Sequence, residues 1–223
     1  MGVIGGTNSI VTDGLVFTMD PFNEQSWTGP NSSTTYNTVG TNTGTIYNDT
    51  SGSYGDNNSF EFDGTDDYIN CGNDSNLNFS SDVSVSAWVK TTQETAGAIL
   101  GKAYYRLEFG SNGIVSWAVY RTTSNGRFLY STTAINDGQW HHIIATHTAN
   151  GNQLIYVDGQ LEGTTTANTS ILTSSNSFFI GRRNATHSRI MNGNIAPVQV
   201  YNRALSASEV LQNYNALKGR FGL

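Results

Sequence analysis

Cysteine, proline and the charged residues of helix surfaces are all scarce in this chain of 223 residues. Cys71 is the single cysteine, so an internal disulfide bond is excluded, and the fold must be held by core burial, edge pairing or assembly. Only three prolines occur, and no proline-rich linker divides the chain. Lysine and glutamate are rare beside glycine, serine, threonine and asparagine, a balance that favours short strands and frequent turns over helices.

The sequence also lacks the segments that export proteins, insert them into membranes or attract nucleic acid. The first residues show neither the charged region nor the long apolar region of a secretory signal peptide, and no apolar run reaches transmembrane length. The formal net charge is -6 and basic residues form no run. We therefore expect synthesis in the cytoplasm, no membrane insertion and no nucleic-acid partner.

The clearest structural pattern is a β-hairpin between residues 139 and 157. Its strands are predicted over residues 139–148 and 153–157, and the turn between them contains Asn150-Gly151, the strongest short hairpin signal. The apolar runs at 143–145 and 154–157 do not alternate strictly, as expected for strands that are covered on both faces. The hairpin is therefore predicted near the middle of a sandwich of sheets.

Further strands are predicted along most of the chain, over residues 14–20, 59–64, 68–71, 83–90, 98–101, 104–109, 114–120, 128–131, 177–181 and 193–201. The polar stretch 23–44 is long for a plain loop, so it is either a functional loop or carries short edge strands. Ser206 followed by Glu209 has the spacing of a capping box, which predicts the start of a short helix.

Several of these segments carry motifs that occur together in one family. They are Trp-His-His at 140–142, Tyr-Val-Asp-Gly at 156–159, Phe-Asp-Gly at 62–64, Ser-x-Trp-Val at 86–89 and Tyr-Asn-Arg-Ala-Leu-Ser at 201–206. The sequence resembles the laminin-G/pentraxin-like branch of the concanavalin A-like sandwiches over about residues 14–215. The resemblance implies an all-β, concanavalin A-like jelly-roll sandwich of two antiparallel sheets with a short C-terminal helix. It implies one domain, residues 14–223, behind an N-terminal arm, residues 1–13.

Acidic residues raise the question of a metal, since concanavalin A-like domains often hold calcium, which takes oxygen ligands. Asp63, Asp66 and Asp67 crowd one loop, and Asp20 ends the first predicted strand. The resemblance implies at most one structural calcium ion, near Asp20 and Asp63. The alternative is that these are solvated turn residues, which is favoured because residues 195–197 lack the acidic residue that many relatives carry there.

The segment Glu61-x-Asp63-x-x-Asp66 also looks like the carboxylate strand of sandwich-fold glucanases. Residues two apart on a strand share a face about 6.5–7 Å apart, near the about 5–5.5 Å of a retaining carboxylate pair. However, the third position is aspartate, and no serine-hydrolase elbow is present. A glycoside hydrolase is a remaining alternative, but we expect the chain not to be an enzyme.

Glycan binding needs aromatic faces for sugar rings and polar side chains for hydroxyl groups. We expect Tyr104, Arg106, Tyr120 and Arg182 to supply such groups, because the three tryptophans Trp88, Trp117 and Trp140 are typical of a sandwich core.

Two function classes follow from the sequence. The first is a non-enzymatic virion structural or decoration protein on the capsid or tail surface of a phage, because the C-terminal sequence resembles laminin-G-like proteins encoded by marine tailed bacteriophages. Its expected partners are other virion proteins or copies of itself, docked through residues 1–11 and 217–223, and a cell-surface glycan. The second class is a carbohydrate-binding adhesion module.

Overall fold

The computed structural model describes residues 9–29, 32–48, 58–167, 170–184, 186 and 189–223. Within these residues the strands are β1 (Leu15–Met19), β2 (Thr34–Tyr36), β3 (Thr43–Tyr47), β4 (Phe60–Asp63), β5 (Tyr68–Asn70), β6 (Val83–Lys90), β7 (Gly97–Lys102), β8 (Tyr105–Phe109), β9 (Ile114–Thr122), β10 (Asn125–Ala134), β11 (Trp140–His147), β12 (Asn152–Val157), β13 (Gln160–Thr166), β14 (Phe179–Ile180) and β15 (Asn192–Tyr201). The helix α1 spans Ala207–Leu217, and short 3-10 turns cover Ser75–Leu77 and Lys218–Phe221. No helix among the described residues is long and apolar enough to cross a membrane.

The strands form two antiparallel sheets, which confirms the predicted fold class. The first sheet has the order β1-β15-β6-β11-β12-β13, with β4 also paired to β15. The second sheet has the order β10-β9-β8-β7-β14-β5-β3-β2. The predicted hairpin is β11 and β12, and β11 lies between β6 and β12. Every residue of β11 is buried, so the hairpin is covered on both faces as predicted.

The main core contains buried apolar side chains from both sheets. In β6 the valines and Ala87 enter this core, and Trp88 points to the opposite side of the sheet, as strand alternation predicts. Trp117 belongs to the main core, whereas Trp88 and Trp140 form a smaller cluster with Phe221 outside the first sheet. The prediction that all three tryptophans are buried is confirmed.

The C-terminal helix covers the outer face of the first sheet. Its capping box is present as predicted, because Ser206 N donates to the Glu209 carboxylate at 2.8 Å and Glu209 N donates to Ser206 Oγ at 3.4 Å. Val210 packs with Ile144 and Tyr201 in a second apolar cluster. The helix is therefore part of the fold, since it shields strands that would otherwise expose apolar residues to water.

The two ends of the described chain dock on this helix and sheet. Val11 is buried, donates its N–H to Asn213 Oδ1 at 2.8 Å and accepts from the Tyr201 hydroxyl at 3.1 Å. Phe221 packs against Trp88 and Trp140. The predicted docking of residues 217–223 on a neighbour therefore needs correction for Phe221, which completes the chain's own core. The rest of the arm prediction concerns residues 1–8, which lie outside the described residues.

Three elements differ from the strand predictions. Strand β13 was not predicted, because it pairs only with β12 in its sheet and its mostly exposed residues show no apolar alternation. The strand predicted over 177–181 is reduced to β14, which has two residues. The stretch 23–44 carries β2 and the start of β3, which confirms the edge-strand interpretation.

Candidate functional site

The outer face of the second sheet gathers most of the sequence-predicted binding residues. Tyr105, Leu107 and Phe109 of β8 enter the main core, so Arg106 and Glu108 project from the opposite face. By the same alternation, Tyr120 of β9 and Phe128 of β10 lie on that outer face, because Val119 and Leu129 enter the core. The antiparallel register places Arg106 opposite Ala118, and Ala118 opposite Phe128, in one row across three strands.

Arg106 and Tyr120 form the centre of this surface. The guanidinium carbon of Arg106 lies 4.6 Å from the centroid of the Tyr120 ring, and Arg106 Nη2 also donates to the Tyr120 hydroxyl. The Tyr120 ring lies 5.7 Å from that of Phe128 and 6.4 Å from that of Tyr104. Phe128 is 45% exposed, so part of this aromatic surface is open to solvent. The structure therefore brings Tyr104, Arg106 and Tyr120 together.

The fourth predicted binding residue, Arg182, lies further across the same sheet. Its guanidinium carbon is 4.7 Å from the ring centroid of Tyr68, which stacks on Tyr47 at 4.7 Å. Tyr47, Tyr68 and Phe128 were not predicted as site residues, although strand alternation could have placed them on the outer face. We name the combined surface the arginine–aromatic band, defined by Tyr47, Tyr68, Arg106, Tyr120, Phe128 and Arg182.

Glu108 lies beside the band and is shared by three arginines. Arg183 donates to both of its carboxylate oxygens, Arg106 Nε lies 3.2 Å from Oε1, and Arg189 Nη1 lies 3.6 Å from Oε2. The hydrogen bond to Glu108 raises the pKa of Arg183. Because one carboxylate balances only one of the three cations, the group keeps a net positive charge.

Positive charge is concentrated in this part of the molecule, although the chain as a whole is acidic. Strands β8–β10 and the segment 182–189 contain one carboxylate and six of the eleven lysines and arginines, namely Arg106, Arg121, Arg127, Arg182, Arg183 and Arg189. The sequence shows no basic run because these arginines come from separate segments that the fold brings together. The region can therefore attract anionic ligands to a chain whose net charge is -6.

The predicted metal ligands Asp20 and Asp63 make different contacts. Asp20 accepts from Arg220 Nη1 with both carboxylate oxygens, at 2.7 and 2.9 Å, so a guanidinium already neutralises it. Asp63 groups with Asp66 and Asp67, whose ligand atoms all lie within 4.8 Å of one another. Carboxylates of this kind suit calcium, and Asp20 does not fit the same site. Calcium at Asp63 stays a prediction.

Asp63 also shapes the turn between β4 and β5. Its Oδ1 accepts the N–H groups of Thr65 at 2.7 Å and Asp66 at 3.4 Å. The backbone hydrogen bond from Thr65 lowers the pKa of Asp63. A turn role therefore accounts for this residue without a metal.

The carboxylates considered for glycoside hydrolysis lack the electrostatic pattern of that reaction. Glu61 and Asp63 are both exposed on β4. A glycosidase acid needs a pKa raised towards neutrality, so that one carboxyl group holds a proton beside an ionised partner. In the described chain, the carboxyl groups with a shifted pKa all shift downward, namely Asp63, Asp137, Glu162 and Glu209.

Comparison with known families gives one match that covers well over half of the chain. A laminin G model, described as the concanavalin A-like lectin/glucanases superfamily, matches residues 63–211. A search of curated proteins finds no match.

Several solved structures share the fold. The binding domain of Paraclostridial Mosquitocidal Protein 1 superposes with a TM-score of 0.68 at 15% identity, covering 91% of this chain and 52% of that one. The ligand binding domain of botulinum neurotoxin serotype D, in complex with N-acetylneuraminic acid, has a TM-score of 0.65 at 15% identity, with 91% and 50% covered. The binding domain of botulinum neurotoxin DC, in complex with rat synaptotagmin II, has a TM-score of 0.64 at 14% identity, with 95% and 52% covered. The chain thus spans about half the length of these toxin domains, and such identities show a shared fold.

Proposed function

The chain belongs to the concanavalin A-like lectin/glucanases superfamily, and from this premise we propose that it is a non-enzymatic binding module for acidic glycans. The observation that carries the proposal is the stacking of Arg106 on Tyr120 beside the exposed ring of Phe128. Aromatic faces accept the apolar faces of sugar rings, and arginine recognises carboxylates with paired N–H donors.

The charge of the region selects an acidic ligand over a neutral one. Arg106, Arg183 and Arg189 share the single carboxylate of Glu108, so their uncompensated charge favours a ligand that brings its own carboxylate or sulfate. The neurotoxin domain that was solved with N-acetylneuraminic acid, a carboxylate sugar, supports this ligand class through a common fold.

Binding without catalysis is the second part of the proposal. The outer face of the second sheet holds one carboxylate at its centre, Glu108, and that group is bound by arginines. A pair of carboxylates in different protonation states, which glycoside hydrolysis requires, is not among the shifted groups of the described chain. The solved relatives named above are described as binding domains, which agrees with a recognition role.

A screen of ligand classes tests the proposal. Immobilised protein should retain sialylated and uronate-containing oligosaccharides, and should retain their neutral counterparts at least tenfold more weakly, which corresponds to about 1.4 kcal/mol. Added salt should weaken the binding, since it screens charges on the surface. Equal retention of neutral and acidic sugars would refute the charge argument, and preferential retention of single-stranded DNA would show a nucleic-acid-binding surface instead.

We also propose where the module works, namely on the capsid or tail surface of a phage particle. Support comes from the C-terminal sequence and from an exposed apolar surface on the other side of the molecule. Phe22 is 62% exposed and borders an open groove of about 600 Å³ together with Leu217 and the Asp20–Arg220 ion pair. Such a surface suits contact with another virion protein or a second copy of the chain.

Particle purification tests this location. The protein should sediment with virions, and Phe22→Ser should reduce its occupancy without lowering its melting temperature. A deletion that tests the N-terminal arm should stop at residue 8, because Val11 is buried against Asn213. Absence of the full-length protein from purified particles would refute the virion proposal and leave the glycan proposal intact.

A further inference from the structure

We propose that the loop end of β7 forms a second ligand subsite, separate from the arginine–aromatic band, which binds the carboxylate of an acidic sugar next to the amine of Lys102. The choice of a sugar rests on the proposed function. The site itself rests on a buried lysine, two asparagines and an adjoining polar cavity.

Lys102 is an unusual member of the buried set, because its side chain carries a charge and is only 2% exposed. Its Nζ donates to Asn73 Oδ1 at 2.5 Å and to Asn78 Oδ1 at 2.6 Å. An ammonium group has three N–H donors, and the described residues accept two of them. No carboxylate of the described residues lies within ion-pair distance of this amine, so its charge is balanced only by neutral amide oxygens at short range.

The surroundings of Lys102 show that this arrangement costs free energy in the absence of a ligand. Burial lowers the pKa of Lys102 from 10.5 to about 8, and the nearby charge of Asp74 acts in the opposite direction. The amine remains cationic at neutral pH while it lacks a direct counter-ion. Buried charges of this kind are generally paired, and a ligand carboxylate would supply the missing partner.

The asparagines add hydrogen-bond donors to the same position. Asn73 Oδ1 accepts from both Lys102 Nζ and, at 3.3 Å, Asn78 Nδ2, so its two lone pairs are used. Asn73 therefore offers a ligand only its amide N–H groups, which match a carboxylate or a sugar hydroxyl oxygen.

A cavity of suitable size and polarity adjoins these groups. An open pocket of about 300 Å³ is lined by Asn73 and Asn78 together with Thr173, Ser174 and Ser175. Its side chains are amides and hydroxyls, which suits a polar ring with several hydroxyl groups better than an apolar ligand. Tyr104 lines the narrow cleft beside Lys102, and its ring also approaches Tyr120. A longer glycan could thus contact both the subsite and the band.

Titration with monosaccharides tests the subsite directly. Sodium glucuronate should shift the side-chain amide NMR signals of Asn73 and Asn78 with saturable binding, and glucose should bind at least tenfold more weakly. N-acetyl-aspartate amide tests whether a peptide carboxylate is the source of the ligand, and it should also bind more weakly because it lacks the hydroxyl groups that Thr173 and Ser174 would meet. Equal binding of the peptide analogue would overturn the assignment to a sugar, and absence of saturable glucuronate binding would overturn the site.

One substitution separates ligand binding from a purely structural role for Lys102. Asn73→Asp places a carboxylate against the amine, so it should raise the melting temperature and at the same time weaken glucuronate binding by at least tenfold. Asn76→Asp is the matched control, because it adds the same charge to the same turn at an exposed residue without a contact to Lys102. Unchanged glucuronate affinity in Asn73→Asp, or an equal loss in Asn76→Asp, would contradict the proposal.

The band and the subsite can fail independently. Tyr120→Ala should leave the glucuronate Kd within about twofold of the wild type, since Tyr120 does not line the cavity. A loss of glucuronate binding in Tyr120→Ala would place the monosaccharide on the band and would refute a separate subsite. Glucuronate binding that persists when larger glycans fail to bind the band would refute the proposed role of the band alone.

Discussion

Removal of the Phe221 ring should destabilise the domain far more than a change so near the C-terminus ordinarily does. Phe221 is 6% exposed, and its ring centroid lies 4.2 Å from Trp88 and 4.6 Å from Trp140. A buried phenylalanine removes about 150–250 Å² from water, which at about 25 cal/mol per Å² corresponds to about 4–6 kcal/mol. Alanine retains one methyl group, so Phe221→Ala should cost about 3–5 kcal/mol of unfolding free energy.

Urea denaturation followed by tryptophan fluorescence measures this loss, because Trp88 and Trp140 report on the same cluster. For a chain of this length, the expected loss corresponds to a fall in melting temperature of roughly 6–20 °C. Leu223→Ala is the matched control, since Leu223 is 52% exposed and its truncation should change stability by less than about 0.5 kcal/mol. If Phe221→Ala and Leu223→Ala had the same stability, the C-terminal segment would not belong to the core, and its docking on a neighbour would again be the better interpretation.

Three further predictions concern pH, metal and catalysis. Burial lowers the pKa of His142 from 6.5 to about 3, so the unfolded chain takes up a proton that the folded chain excludes; stability should be full above pH 6.5 and fall as the pH drops towards 3, with a shallower slope in His142→Gln. A chelator should lower the melting temperature by a few degrees if calcium binds at Asp63, the shift should vanish in Asp63→Ala but persist in Asp20→Ala, and an unchanged melting temperature without bound metal in elemental analysis would eliminate the site. Incubation with β-glucans should release no reducing ends, and release that disappears in Glu61→Gln would show that the chain is a hydrolase.

Periodic patterns in the sequence predicted the elements that are buried on a regular face. The β11–β12 hairpin, the alternating strand β6 and the capping box at Ser206 all follow from local spacing, so they needed no knowledge of distant contacts. Strand β13 lacked such a signal, because an exposed edge strand has no apolar alternation to reveal it. Its position depends on pairing with β12, which the sequence of β13 alone does not encode.

The candidate site could be predicted only in part, for a related reason. Aromatic and basic residues within neighbouring strands, such as Arg106 and Tyr120, were visible as a pattern. The contacts of Glu108 with Arg183 and Arg189 join residues that are far apart in the chain, so they appear only after β8 and the segment before β15 come together. Likewise, Asp20 was interpreted as a metal ligand because its partner, Arg220, lies at the opposite end of the sequence.

The most direct test of the central claim is the affinity of a sialylated oligosaccharide for the protein before and after removal of the Tyr120 ring, measured by titration calorimetry. Tyr120→Ala should weaken binding by at least tenfold, because it removes both the ring that could stack on a sugar and the support of the Arg106 guanidinium. Tyr36→Ala, at a ring that is 43% exposed on β2 at the far edge of the same sheet, should retain wild-type affinity. Equal affinities of wild type, Tyr120→Ala and Tyr36→Ala would contradict glycan recognition by the arginine–aromatic band.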